Sequence, residues 1–390
     1  MIATSAPNVA GMSTSWSRIA LLYAIGVLAA GQLGIVPPLV PDLQRDLGLS
    51  LAGAGMAVSV ITLVGAVLGL PAGGWSQRIG HARALAIGLA IMAAAAALCA
   101  VATDATTLLA GRTLAGIGYL LVVVAGPSLM ALTAEPRHHA ITLSLWGTFV
   151  PTGIALAGLV TAGFSQAGWR TIFAVDLVLL AAAVFVAVVA VPRDTIVPRD
   201  AQKPPTGALV SSLPLAAAFF CFALLFLAVA GLLPAWLGER RGLTAADAGR
   251  IAAIATAFGI AGSLLAGSLM RTGFSPGRLA AIGLLGSMVL AALCFTALPL
   301  PMAVVGFALS FAIGGLVPAA TFASVPLVAT TPRAIGPING LVAQAGSLGS
   351  LAGPPLLALW VGWTDWLFAP LLLLTIAVIG AAAALAVKRA

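Results

Sequence analysis

Long apolar runs recur along the whole chain, and they limit how it can fold more than any other feature. Each run covers about 20 residues, the length at which an α-helix crosses the hydrocarbon core of a bilayer. The sequence is 61% hydrophobic and only 7% charged, whereas roughly a quarter of a soluble domain is charged. We therefore predict an all-α membrane protein with twelve transmembrane helices. The predicted spans lie at about residues 18–40, 52–75, 84–103, 106–132, 139–165, 169–191, 213–237, 246–270, 279–298, 301–329, 335–361 and 366–387.

The polar segments divide this chain into two halves of six spans. The only sizeable polar stretch between spans begins at Pro192 and is rich in Pro, Arg and Asp. The predicted parts are a cytoplasmic N-terminal tail at 1–17, a six-helix bundle at 18–191, a cytoplasmic linker at 192–212, a second six-helix bundle at 213–387 and a cytoplasmic tail at 388–390.

The basic residues predict the orientation in the membrane. With both termini in the cytoplasm, the inner segments hold most of the Lys and Arg residues, as the positive-inside rule requires for an even number of spans. We therefore expect a multi-pass protein of the plasma membrane, which in a bacterium is the inner membrane. The net charge of +8 forms no basic stripe of the kind that binds nucleic acid, so no nucleic-acid partner is expected.

Loop residues of the two halves match at a nearly constant offset of 193 to 196 positions. The matching pairs are Gly48 and Gly242, Arg78 and Arg271, Gly80 and Gly273, Arg83 and Arg278, Pro136 and Pro332, and Trp169 and Trp363. Repeats at equivalent loops predict two pseudo-symmetric bundles, a plan that is typical of secondary transporters and that places the solute site between the halves.

The segment from Gly73 to Arg83 carries a Gly-rich, Arg-containing motif between the second and third spans. In this segment, and over nearly its whole length, the chain resembles the major facilitator superfamily. The resemblance implies a gating loop, to which we assign Gly74, Gln77, Arg78, Gly80 and Arg83. Gln77 stands where the family usually has an Asp that caps a neighbouring helix; an amide still accepts a hydrogen bond but contributes no charge.

Arg112 is the one basic residue deep within a span, and Gly116 and Gly118 follow it in a pattern similar to the RxxxGxG motif of the same family. An intramembrane arginine needs a partner or a wet cavity. Arg112 is expected either to face the central path and bind the solute, or to form a buried pair with Asp176 or Asp42. In the first case its planar guanidinium favours an anionic solute.

Other polar and aromatic residues within the spans are candidates for the solute site. Besides Arg112, we assign Gln32, Tyr119, Trp146, Asn339 and Gln344 to solute binding. In the multidrug and sugar exporters that the chain resembles, the stretch around Gln32 often carries an Asp or Glu; here it carries an amide, whose alternative role is to bridge helices. No carboxylate lies near the middle of any span.

These observations predict a secondary permease that moves a small neutral or anionic organic solute by alternating access, as a symporter or antiporter, with proton coupling left open. The alternatives are a drug or metabolite exporter and, from another class, a membrane-embedded enzyme or a sensor. The spans hold no cluster of catalytic groups and the histidines offer no metal spacing, so we expect no enzyme activity, no metal and no cofactor. The sequence has no Walker-type motif, which argues against ATP, and a monomer in the lipid bilayer is expected.

Overall fold

The computed structural model describes residues 14–135, 138, 142, 145–191, 206–296, 298–329 and 334–387, and within them the regular structure is entirely helical. The helices are α1 (Trp16–Ile35), α2 (Val40–Leu47), α3 (Leu51–Ser59), α4 (Leu63–Ile79), α5 (His81–Ala100), α6 (Ala105–Thr133), α7 (Phe149–Gly163), α8 (Trp169–Ala190), α9 (Thr206–Ser211), α10 (Leu213–Arg241), α11 (Ala245–Arg271), α12 (Pro276–Cys294), α13 (Leu300–Gly314), α14 (Leu316–Val328), α15 (Ile335–Trp363) and α16 (Ala369–Leu385).

The predicted all-α membrane fold is confirmed. Ten helical stretches among the described residues are long and apolar enough to cross a membrane. The predicted fifth span contains the shorter apolar helix α7, and the predicted eleventh span corresponds to α15, a helix of 29 residues. Some predicted spans are interrupted: a 3₁₀ turn at Pro37–Leu39 separates α1 from α2, because Pro38 cannot donate a backbone hydrogen bond.

The membrane helices end at two opposite faces of the bundle. We call the face where α1 begins the proximal end, and the face that carries residues 48–50, 101–104, 164–168, 242–244 and 364–365 the distal end. In the predicted orientation the distal end is outside the cell.

Two turns at the distal end are built alike in the two halves. Gly48 ends α2 with a φ of 63° and Gly242 ends α10 with a φ of 67°, a left-handed conformation in which glycine is favoured because it has no Cβ. Two residues later Ser50 caps α3 and Thr244 caps α11 through their side chains. This likeness supports the predicted duplication, which remains a prediction for the bundles as wholes.

A tryptophan joins the first and last span of each half at the distal end. The indole Nε1 of Trp169 donates to Asp46 at 3.0 Å, and the indole Nε1 of Trp366 donates to Glu239 at 2.7 Å. Both rings are buried, whereas Trp363 is 81% exposed. The structural counterpart of Trp169 is therefore Trp366 rather than Trp363, because only Trp366 repeats its hydrogen bond and its burial.

Asp104 caps the distal end of α6 and predicts a measurable pH dependence. Its carboxylate accepts hydrogen bonds from the backbone N–H and the hydroxyl of Thr107, each at 2.9 Å, and these hydrogen bonds hold the pKa of Asp104 below its ordinary value. A lowered folded-state pKa stabilises the fold above the unfolded pKa of about 4, and this stabilisation is lost as the pH falls through the folded value. Asp104→Asn retains a good capping residue but should abolish this pH-dependent part.

Thermal unfolding of the purified protein between pH 6 and pH 3 checks this prediction. The stability advantage of the wild type over Asp104→Asn should be present at pH 6 and should shrink below about pH 4. A difference that stays constant over this range contradicts the assignment.

The packing between the halves is extensive at the distal end. The Pro37–Leu39 turn packs on α10 and α11, and α3 packs on α15 and α10. A Cβ added to Gly249 would lie 2.9 Å from both Pro38 and Ala162, and one added to Gly231 would lie 2.9 Å from Val58. Among the described residues, no comparable packing joins α6 to α13 or α14. The two halves are therefore in close contact at the distal end, and we call this arrangement the distally closed state.

Candidate functional site

The Arg112 side chain is fully buried inside the first half, with 0% exposure. Its Nε donates to the backbone carbonyl of Ala57 at 3.1 Å. Its Nη2 donates to the backbone carbonyl of Gln32 at 2.6 Å, and its Nη1 to the side-chain Oε1 of Gln32 at 3.3 Å. Arg112 therefore ties α6 to both α1 and α3.

Gln32 connects this guanidinium to a buried carboxylate. Its Nε2 donates to Oδ2 of Asp176 at 2.6 Å, and Gln32 and Asp176 are 2% and 5% exposed. No ion pair within 4.0 Å joins Arg112 to Asp176 directly among the described residues. The two opposite charges are held in one buried network (Arg112, Gln32 and Asp176) with an amide between them, an arrangement that keeps each charge hydrogen-bonded.

The geometry favours one of the two predicted arrangements of Arg112. Its guanidinium reaches no open space in this distally closed state, and it shares a network with Asp176, as the buried-pair alternative expected. Asp42, the other expected partner, pairs instead with Arg45 at 2.9 Å. Gln32 likewise adopts its alternative role as a bridge between helices.

Trp146 is also enclosed by protein in this state. It is 7% exposed and stacks on Phe149 with 4.5 Å between ring centroids. Gly26 on α1 and Gly126 on α6 leave room for the ring, since a Cβ at either position would lie within 2.8 Å of it. The ring therefore fills the space between these two helices, and it has little surface free for a solute.

Gln344 lies where the two halves meet. Its Nε2 donates to the backbone carbonyl of Ala66 at 2.8 Å, which connects α15 to α4, and its Oε1 is buried with no hydrogen-bond partner among the described residues. Asn339, five residues nearer the proximal end, is partly exposed and its amide makes no hydrogen bond to another described residue. Asn339 therefore presents a partly exposed amide, whereas Gln344 connects the halves.

Side chains with hydroxyl groups on α1, α6 and α7 are partly exposed within the first half. The Tyr23 hydroxyl is 2.9 Å from the hydroxyl of Thr148 and 3.1 Å from that of Thr152, and Tyr23 and Thr152 are partly exposed. Tyr119 is also partly exposed, and its hydroxyl has no partner among the described residues. These groups offer hydrogen bonds but no charge.

The second half presents an aromatic wall, by which we mean Phe219, Phe222, Phe226, Phe311 and Phe322. The ring centroids of successive neighbours lie 5.5 to 5.8 Å apart. Phe219, Phe222 and Phe226 are partly exposed, and Phe226 packs against the buried clusters of both halves. At Phe226, therefore, the aromatic wall reaches the boundary between the two bundles.

The predicted gating loop is mostly helical. The residues from Gly73 to Ile79 continue α4, and the chain turns at the single residue Gly80, which has a φ of 88°. The surroundings of Gly74 and the side chains of Gln77 and Arg78 lie outside the described part of the structure, so their roles stay predictions, and Arg83 is exposed.

Sequence reasoning missed the aromatic wall and the Tyr23 hydroxyl. Phe219, Phe222 and Phe226 are three and four residues apart, the spacing that places side chains on one helical face, and this signal was available. The contribution of Phe311 was not, because it depends on the contact between α10 and α13.

Comparisons with known proteins agree with this architecture. The family model described as Major Facilitator Superfamily matches residues 22–354. The methylenomycin A resistance protein of Bacillus subtilis is 32% identical over 176 residues, which are 44% of this chain and 38% of that protein. An uncharacterized MFS-type transporter of Mycobacterium tuberculosis, EfpA, is 29% identical over 215 residues, 54% of this chain and 40% of its own. The chain thus aligns with about two fifths of the length of these relatives.

Solved structures share the fold over almost the full chain. A bacterial homologue of the human lysosomal transporter Spinster, in an inward-facing and unoccupied conformation, has a TM-score of 0.72 at 16% identity, covering 95% of this chain and 94% of its own. The human organic anion transporter MFSD10 also has a TM-score of 0.72 at 16% identity, covering 95% and 98%.

Proposed function

Because the chain belongs to the major facilitator superfamily, we propose that it is a secondary permease that moves a small neutral organic solute with an aromatic or otherwise apolar surface. The two halves alternate around a site between the hydroxyl groups of Tyr23, Tyr119 and Thr152 and the aromatic wall. The observation that carries the proposal is the buried network of Arg112, Gln32 and Asp176, which takes the deep charges away from the boundary between the halves.

The charge preference follows from this network. Arg112 and Asp176 each lie seven residues beyond the first residue of their helix, and both are buried in the first half. Other charged side chains of the described spans are closer to a helix end, where water solvates them. A solute at the boundary therefore contacts hydroxyl, amide and aromatic groups, which favour a neutral molecule over an anion.

Export is the direction that the name of one relative supports. The methylenomycin A resistance protein is named for resistance to a compound, and the probable actinorhodin transporter of Streptomyces coelicolor, which is 27% identical over 184 residues, is named for the transport of one. This supports the drug or metabolite exporter over an uptake system for a charged nutrient.

We propose the following membrane topology and partners for the protein. The positive-inside distribution supports a protein of the plasma membrane, the inner membrane of a bacterium, with both termini in the cytoplasm and two six-helix bundles at 18–191 and 213–387. The protein acts as a monomer in the bilayer and requires no ATP, nucleic acid, metal or cofactor, and it performs no enzymatic reaction.

Counterflow in proteoliposomes tests the solute class. Matched pairs of aromatic compounds, each a neutral ester or amide and its carboxylate, are exchanged across vesicles that contain the purified protein. We expect the neutral member of a pair to exchange at least about tenfold faster, which corresponds to about 1.4 kcal/mol of preference. Faster exchange of the carboxylates overturns the neutral-solute proposal.

The aromatic wall gives the matching mutational test. Phe222→Ala should raise the KM for the neutral solute about fivefold to tenfold, because one aromatic contact contributes about 1 kcal/mol. Phe274→Ala is the control, since this phenylalanine is exposed in the turn after α11. Equal effects of the two substitutions contradict a role of the wall in binding.

A further inference from the structure

Asp176 is a buried acid that is not part of the proposed solute site. Its only hydrogen-bond partner among the described residues is the Gln32 amide, at 2.6 Å. The groups that face it are Gln32 on α1, the Arg112 guanidinium on α6 and the Cys99 thiol on α5. Arg170, on its own helix, instead donates to the carbonyl of Ala102. Arg112 is therefore the one permanent charge close to this carboxylate in the described structure.

The network reaches from Asp176 to the closed distal end. Gln32 links Asp176 to Arg112 by hydrogen bonds, and Arg112 donates to the carbonyl of Ala57 in α3 at 3.1 Å. The next residue, Val58, packs against Gly231 of the opposite half, and Gly55 on the same helix packs against Pro354. The helix that Arg112 holds is thus the helix that closes on the other half.

We propose that Asp176 takes up and releases the coupling proton of transport, and that Gln32 and Arg112 transmit its charge to α3. This inference rests on the proposed transport function and names the coupling site within it. One proton binds the carboxylate to give the neutral acid and later leaves to the other side of the membrane. No other reactant is needed.

The physical basis is the balance of two buried charges. With Asp176 ionised, the network is neutral overall and the distally closed packing is favoured. With Asp176 protonated, Arg112 remains as an uncompensated buried charge, which is unfavourable unless water reaches it. Protonation therefore favours opening of the distal end. By linkage, the open state binds the proton more tightly than the closed state, and this difference is what couples a proton gradient to the conformational cycle.

Spin-label distances in the purified full-length protein test the coupling without any solute. Labels are placed at Val101 and Trp363, which are 69% and 81% exposed at the distal ends of opposite halves, and the distance between them is measured from pH 5 to pH 9. The wild type should shift toward the longer distance as the pH falls. Asp176→Asn, in which the side chain no longer takes up or releases a proton, should lose this pH response. The control Asp247→Asn, which alters an exposed distal acid paired with Arg250, should behave as the wild type.

Each measured pH response either supports the proposal or overturns it. A wild type that does not respond to pH, an Asp176→Asn variant that keeps the wild-type response, or an Asp247→Asn variant that loses it overturns the proposal. If Asp176→Asn does not fold, Asp176→Glu replaces it: a displaced pH midpoint supports the assignment and an unchanged midpoint overturns it.

Transport assays separate this inference from the proposed function. Asp176→Asn should retain solute counterflow, which needs no gradient, and should lose at least about nine tenths of the transport driven by a proton gradient, a tenfold effect. Absence of counterflow in the wild type would reject the solute proposal. Wild-type counterflow together with gradient-driven transport that survives in Asp176→Asn would reject the proton site alone.

Discussion

Arg112→Met should lower the free energy of unfolding by about 3–5 kcal/mol, the usual result when one partner of a buried charged pair is removed. The substitution leaves the Asp176 carboxylate buried with no cation nearby, and it takes hydrogen-bond donors away from the carbonyls of Ala57 and Gln32. Reversible unfolding of the purified protein in detergent, followed by circular dichroism, measures the loss.

The double substitution Arg112→Met with Asp176→Leu provides the decisive comparison. Removing both charges together should recover most of the lost stability, because a buried pair replaced by apolar side chains is often neutral or stabilising. Arg45→Met is the control: Arg45 pairs with Asp42 and Asp46, but its side chain is 70% exposed, so we expect no measurable loss. A double variant as unstable as the sum of the two single variants would show that the charges do not act as a pair.

Gly249→Leu should hold the protein open at the distal end and reduce transport at least about tenfold. A Cβ at this position would lie 2.9 Å from Pro38 and 2.9 Å from Ala162, both in the opposite half, and a leucine adds three further carbon atoms. Overpacking of this kind costs about 1–3 kcal/mol. Separation of the two halves removes the clash, so the substitution destabilises the closed state and not the open state. Gly158→Leu should act in the same way, because its Cβ would lie 3.0 Å from Ala253.

The chain supplies a matched control on each helix. Gly163 follows Gly158 on α7, Gly267 follows Gly249 on α11, and a Cβ at either control position would meet nothing within 4 Å. Gly163→Leu and Gly267→Leu should therefore leave the Val101–Trp363 distance and the transport rate close to the wild type. The prediction fails if Gly249→Leu shows the wild-type distance, or if the control substitutions lengthen it as well.

The sequence alone identified the membrane class, the approximate position of nearly every span and the special loop glycines. These features are local: a helix in lipid must satisfy its own backbone hydrogen bonds and present an apolar surface, so its composition reveals it directly. Gly48, Gly80 and Gly242 stood out as loop residues that match between the halves, and the turns with positive φ at these positions favour glycine.

The sequence also singled out Arg112, because a charge within an apolar run needs compensation somewhere. Only the tertiary structure showed which residues compensate the charge of Arg112. Its partner Gln32 is 80 positions away, and Gln32 meets Asp176 across 144 positions; no local pattern specifies such pairs. The same limit explains why Trp363 looked like the counterpart of Trp169. The loop spacing favoured Trp363, but burial and a hydrogen bond to Glu239 select Trp366.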